Sequence, residues 1–312
     1  MRSRAQLRSL SPRVIELNHV LTGPARVSFT RQGRVLSTFS LPKLRCILPR
    51  VTLSVVLITQ NEEPNLPRTL ESVLLLVSDG KGEIIVVDSG STDRTVEIAQ
   101  SFGAKVFVEA WKGFAAQKNS AMGKASMDWV LQLDADEALE PGLAAEIEVA
   151  LKGDSPLKGF WIPRKNYFLG RWIRHGGFYP DPKLRLIRRS AGRFEEYGAH
   201  PTIKVDGPTG TLSHALIHNA YPTLRGYIDH MNTYSSMGAE VVVAKGYRRF
   251  SVTDIVVRPL LTFIYNYFFR LGFLDGREGL LLHLYHSAYV SWKYAKAWEL
   301  SRPNDGSNVS TG

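Results

Sequence analysis

One cysteine, Cys46, stands among 312 residues. A single thiol excludes an intramolecular disulfide and a cysteine-based metal cluster, and it fits a reducing compartment. Long hydrophobic runs are missing too. No window reaches about 18 uncharged apolar residues, so a membrane-spanning helix is not expected. Neither a GxGxxG turn nor a GxxxxGK[ST] loop occurs, which removes the commonest dinucleotide and P-loop readings. Internal repeats are absent. Acids are scarce at one end: residues 1–50 hold ten Lys/Arg and a single acid, Glu16, while the remainder holds 29 basic against 28 acidic residues. The net charge of +10 is therefore a property of the N-terminal segment. A basic arm could touch acidic lipid or nucleic acid. We read 1–50 as a basic, poorly ordered extension and expect no nucleic-acid partner. It lacks the apolar stretch of about 7–15 residues that a secretion signal needs.

What is present is a globular pattern, with 44% hydrophobic residues and a mean hydropathy of -0.12. From residue 53, short apolar runs alternate with helical periodicity. Ser54–Thr59, Glu83–Asp88, Ala104–Glu109 and Trp129–Asp134 read as strands. Helices are expected over about 66–77, 94–102, 114–125 and from Pro141 to Lys152. This alternation predicts an α/β fold, a mostly parallel sheet flanked by helices. From about 158 to 222, GFWIPR, KLRLIRR, PTIKV and ALIHNAY read as strands of a mixed subdomain. A helical C-terminal extension follows over 223–300, and RPNDGSNVSTG reads as a disordered tail over 301–312. Within 51–222, we expect a nucleotide-binding half (51–155) and an acceptor half (156–222).

In open parallel sheets, ligands sit at the carboxyl ends of strands. Polar clusters fall there: Asn61-Glu62 after the first strand, Asp88 to Asp93 after the second, and Asp134 to Glu137 after the fourth. One acidic cluster is ordinary for a solvated loop, but three on one edge call for a positive partner. In DAD, Asp134 and Asp136 are two apart, so in an extended segment both point to one side. A hard cation, Mg²⁺ or Mn²⁺, relieves the repulsion of such a pair and binds substrate phosphates as well. Ser91 or Asp93 is suited to cap the next helix, leaving Asp88 for a ribose or base.

SVVLITQNEE, VVDSGSTDRT, WKGFAAQKNSAM and WVLQLDADEAL together resemble family 2 glycosyltransferases with the GT-A fold. FYPDPKLRLIRR, GRFEEYGAHP, LIHNAYPTLRGYIDHMNTYSSMGAE and GFLDGREG resemble the bacterial branch that includes the lipopolysaccharide core β-1,4-glucosyltransferases. The resemblance covers about 51–300. It implies a metal-dependent, inverting transfer from a nucleoside-diphosphate sugar to a hydroxyl of a lipid-linked or lipopolysaccharide-type glycan. It also implies that Thr59, Asn61 and Glu62 line the nucleotide pocket, that Asp88 contacts base or ribose, and that Lys118 contacts the nucleotide or its phosphates. Asp134 would sit by ribose and metal, and Asp136 would ligate the metal.

Attack by a hydroxyl needs a general base. Relatives often carry His-Glu where this chain has His200-Pro201, and proline cannot act as one. The candidates are Glu196, His200 and Glu195, with Asp181 behind them. Arg185, Arg188 and Arg189 suit either phosphates or ion pairs, and His218 suits either a metal or a hydrogen bond. A polyprenyl-phosphate acceptor, already an anion, would need no base. A sugar-nucleotidyltransferase is a further alternative, but QNEEPN is not its Gly-rich basic loop. The segments PLLTFIYNYFF and GLLLHLYHSAYVSW carry Tyr/Trp flanked by Arg/Lys, which suits a membrane interface. Peripheral membrane contact is expected through 255–293, on the cytoplasmic face of the plasma membrane.

Overall fold

The apolar runs become strands whose alternate residues feed two cores. In the computed structural model, which describes residues 52–152, 155–195 and 202–302, the first strands are β1 (Leu53–Thr59), β2 (Gly82–Asp88), β3 (Lys105–Val108) and β4 (Trp129–Asp134). Val55 and Leu57 of β1 join Leu131 and Leu133 of β4 under α1 (Leu66–Val77) and α4 (Leu143–Lys152). On the other face, Val56, Ile85 and Val130 pack with Ala115 and Ala121 of α3 (Phe114–Gly123). Covering both faces is why β1, β2 and β4 are mostly apolar rather than alternating. Each fully buried Leu or Val contributes roughly 1.5–3 kcal/mol. A short helix, α2 (Thr95–Ser101), links β2 to β3.

The sheet is mixed. β5 (Glu137–Leu139) follows β4, and β6 (Gly159–Ile162), β7 (Arg164–Phe168), β8 (Arg171–Trp172) and β9 (Lys183–Arg188) come next. β10 (Gly192–Glu195), β11 (Thr202–Val205), β12 (Thr209–Thr211) and β13 (Leu216–Tyr221) complete the set. The seven-stranded order is β12-β6-β9-β4-β1-β2-β3. β1, β2, β3 and β4 pair in parallel, and β9 enters antiparallel to β4 and β6. Sequence periodicity reveals strands but not partners, so the antiparallel insertion was not readable. A second sheet, β5-β13-β7-β8, starts where the chain turns after Asp134. The DAD segment is thus the crossing point between two sheets.

The C-terminal region is helical: α5 (Leu224–Ala244), α6 (Arg258–Ile264) with wider turns at Thr253–Val257 and Tyr265–Phe269, and α7 (Gly276–Ser301). A third core of Phe168, Ile173, Tyr227 and Leu282 joins α5 and α7 to the second sheet. Among the described residues, no helix is long and apolar enough to cross a membrane. Leu260, Leu261, Tyr265, Phe268, Phe269 and Phe273 are nonetheless exposed. The reading of 1–50 as a basic arm lies outside the described residues, as does most of the tail read over 301–312, whose first residue, Ser301, instead ends α7.

Candidate active site

The loops after β1 and β2 are laced together. The Thr59 hydroxyl donates to Asp88 Oδ1 at 2.9 Å. Asp88 is buried and also accepts from the Gly90 and Ser91 N–H groups at 2.9 and 2.8 Å and from the Ser91 hydroxyl. Its carboxylate organises its own loop, a duty that the expected ribose or base contact would have to share. Asn61, at φ 55°, donates its N–H to Ser91 Oγ at 2.8 Å and accepts from the Thr92 N–H at 2.8 Å. Asp93 accepts from the Thr95 N–H at 3.0 Å and from the Glu63 N–H at 3.1 Å, fixing the start of α2. Burial pushes the Glu62 carboxyl up, and the charges of Asp136, Asp93 and Asp134 add to that push.

The two acids of DAD have different partners. Residues 135–136 form a turn, not a strand. Asp134 ends β4 and meets Lys118 Nζ at 2.6 Å on one oxygen and the Arg185 guanidinium on the other. Burial opposes ionisation of Asp134, but the Arg185 and Lys118 charges outweigh it and hold the carboxyl well below its usual range. Asp136 instead meets His218 Nε2 at 3.2 Å, and His218 Nδ1 lies 2.7 Å from the Asn166 side-chain oxygen. Burial raises the Asp136 carboxyl, and the hydrogen bond and charge of His218 bring it below its ordinary value. The extended geometry expected for DAD is replaced by a turn, because the chain changes sheets here.

Arg185 is an internal cation. Its guanidinium spans Gln132, Asp134 and Glu137, the last at 2.7 Å. Glu137 is fully buried and also holds Arg164 at 3.0 Å. Arg164 in turn grips Asp181 at 2.8 Å, and Asp181 is shared with Asn166 and Lys183. Burial raises the Asp181 carboxyl, but Arg164 and these hydrogen bonds bring it lower. Arg188 stacks over Trp129 at 4.8 Å, and Arg189 donates to the Met127 carbonyl at 3.0 Å. Of the three arginines of LRLIRR, Arg185 is the one ion-paired among the described residues. Lys165 pairs with Glu140, which also caps the Ala215 N–H at 3.0 Å.

Glu195 ends β10 and is paired with Arg193 at 3.1 Å and Lys204 at 3.8 Å. The β10–β11 hairpin is tied to α3 by Asn119, whose side chain exchanges two hydrogen bonds of 2.8 Å with the Phe194 backbone. The Phe194 ring lies 5.4 Å from Lys118 Nζ. It is thus Phe194, one residue before Glu195, that lies against the Lys118–Asp134 pair. Glu196 and His200 lie outside the described residues.

Two features carried no sequence signal of role. Asn166 orients His218. Asp275, in GFLDGREG, is buried and accepts from the Arg174 and His175 N–H groups at 3.1 and 2.8 Å, clamping the 173–178 loop to α7. Among the described residues, no cluster of three His, Cys, Asp or Glu could hold a metal alone.

The family model for glycosyl transferase family 2 matches residues 54–204. The lipopolysaccharide core biosynthesis glycosyltransferase LpsC of Rhizobium meliloti (strain 1021) is 29% identical over 269 residues, covering 83% of this chain and 97% of that protein. An uncharacterized glycosyltransferase of Rickettsia conorii (strain Malish 7) is 45% identical over 240 residues, covering 73% of this chain and 83% of its own. The solved structure of the mannosyltransferase PcManGT of Pyrobaculum calidifontis, in complex with GDP-Man and Mn²⁺, matches 79% of this chain and 87% of its own at 16% identity and a TM-score of 0.47.

Proposed function

Because the chain belongs to the family 2 glycosyltransferases, we propose that it is a metal-dependent, inverting enzyme that glycosylates a lipid-linked or lipopolysaccharide-type glycan. The observation that carries the reading is the pairing of Asp136 with His218, 3.2 Å apart, beside an Asp134 already neutralised by two cations. Nucleotide-sugar use comes with the family. The glycan class follows the Rhizobium relative, a lipopolysaccharide core biosynthesis glycosyltransferase.

The residues fit a divalent cation. Asp136 and His218 offer an oxygen and a nitrogen that converge, and Glu62, crowded by like charges, gains from any cation nearby. Two protein ligands suffice for Mg²⁺ or Mn²⁺ when diphosphate oxygens and water complete the shell. A bound ion would supply charge stabilisation for the departing nucleoside diphosphate. Asp134, held by Lys118 and Arg185, faces the ribose and fixes Lys118 near the phosphates. Thr59, Asn61, Glu62 and Asp88 shape the nucleotide pocket through the laced loops. Glu196 or His200 takes the proton of the attacking hydroxyl, with Glu195 the third candidate. Asp181 suits that role poorly, since a carboxylate held low by Arg164 is a weak base near neutral pH.

In this reading, residues 51–155 hold the donor, 156–222 frame the acceptor, and 223–300 rest on the cytoplasmic face of the membrane. The exposed aromatic face of 255–293 supports that last assignment. The test is nucleotide release from a panel of UDP-, GDP-, dTDP- and ADP-sugars with Mn²⁺, with and without chelator and with a core-oligosaccharide acceptor. Release abolished by chelator is expected. Transfer undiminished by chelator would remove the metal from the mechanism.

A further inference from the structure

A cavity of about 370 Å³ lies between the second sheet and the C-terminal helices. One wall carries His218, the partner of Asp136, and another carries Asn266, Arg270 and His286. The cavity therefore runs from the Asp136–His218 pair to the C-terminal segment. Its charged lining does not cancel. Arg164 and Asp181 neutralise each other at 2.8 Å. Burial and the nearby Lys293 charge push the His286 imidazole down. Arg270 remains: it is partly open to solvent, its guanidinium lies 6.0 Å from the Tyr265 ring, and among the described residues no carboxylate pairs with it.

Arg270 is nevertheless held in place. Its carbonyl accepts the Gly176 N–H at 2.8 Å. Its guanidinium packs on Gly177, where a Cβ would come within 2.0 Å of a terminal nitrogen. Asp275 fixes the same loop two residues earlier, through the His175 N–H at 2.8 Å. An arginine positioned this closely, without a counter-ion, facing a cavity that leads to the reacting centre, is arranged to receive an anion.

Resting on the donor reading above, we propose that this cavity is the acceptor subsite and that Arg270 recognises an anionic substituent, a phosphate monoester or carboxylate, on the acceptor sugar. The neighbouring Phe268 and Phe269 are exposed on the same turn, so the anion would be taken from an acceptor presented at a lipid surface. Arg270 is a binding and specificity residue and touches no reacting bond.

Glucose 6-phosphate, glucuronate and glucose serve as probes, titrated by saturation-transfer NMR with and without Mn²⁺ and saturating nucleoside diphosphate. The two anionic sugars are expected to bind the nucleotide-loaded protein at least tenfold more tightly than glucose. Arg270→Gln is expected to erase that preference and Arg270→Lys to restore part of it. Equal binding of charged and neutral sugars, or an anion preference that survives Arg270→Gln, overturns the proposal. Nucleotide binding with Mn²⁺ is read in the same tubes. Its absence in the wild type sinks the donor reading, whereas loss of the sugar-anion preference alone sinks only this one.

Discussion

Lys118 Nζ lies 2.6 Å from Asp134 Oδ1, while the carboxylate of Asp136, two residues on, meets His218 at 3.2 Å. The two acids of DAD therefore differ in electrostatic duty. Asp136→Asn is expected to lower metal-dependent transfer by about a hundredfold or more while moving stability by no more than about 1 kcal/mol. Asp134→Asn is expected to cost both activity and about 3 kcal/mol of stability, because it strands Lys118 and Arg185 in the interior. Urea titration beside a rate assay separates the two. Equal stability losses in both variants would contradict the division of labour.

Arg185 bridges Asp134 and Glu137 from β9, the antiparallel strand inserted in the sheet. Replacing it with methionine keeps much of the volume but leaves two buried carboxylates unpaired. A loss of roughly 3–5 kcal/mol is expected. The double variant Arg185→Met with Glu137→Gln should recover part of it. A phosphate-binding role alone would instead lower donor affinity and leave the denaturation midpoint in place.

The parallel core was legible because both of its faces are covered. Runs such as SVVLIT and EIIVVD read as strands buried on both faces, and they located the polar loops at their carboxyl ends. The direction of those loops' side chains was not legible. Asp134 and Asp136 looked like neighbours on one face, yet a turn at 135–136 sends them to partners 16 and 82 positions away, Lys118 and His218. Arg185 read equally well as phosphate ligand or ion pair, since the deciding acid, Glu137, sits on a different strand of another sheet. Long-range pairing of charges leaves no periodic trace in a single sequence.

His283 is 1% exposed, and neither ring nitrogen has a hydrogen-bond partner among the described residues. Burial, with the His286 charge assisting, pushes its imidazole down to about 4. The unfolded chain then binds the proton more readily than the folded one between pH 6.5 and about 4. Stability should accordingly be full above the upper value and fall as pH drops toward the lower, by on the order of 2–3 kcal/mol in total. His283→Leu is expected to flatten that window in denaturation curves taken at several pH values. An unchanged slope would mean that other groups govern it.

Gly176 faces the same imidazole. Its φ is 66°, and a Cβ there would lie 1.9 Å from His283 Cε1. Gly176→Ala should therefore lose at least about 1–3 kcal/mol through backbone strain and overpacking together. Pairing it with His283→Ala makes room for the methyl group and should return the overpacking share, leaving the strain. Simple additivity of the two losses in a double-mutant cycle would show that the ring and the glycine are not coupled.

Phe268 and Phe269 are 54% and 74% exposed at the end of the α6 segment, beside Arg270. No packed core explains them, while an interface of acyl chains and phosphates would bury the rings and pair the basic flank. Each buried Phe contributes roughly 1.5–3 kcal/mol. Phe268→Glu with Phe269→Glu should therefore weaken co-sedimentation with phosphatidylglycerol-containing vesicles by well over tenfold. Raising ionic strength should weaken wild-type binding only in part, because screening acts on Arg258 and Arg277 and not on the rings. Partition of the double variant equal to that of the wild type would show that this face meets something other than lipid.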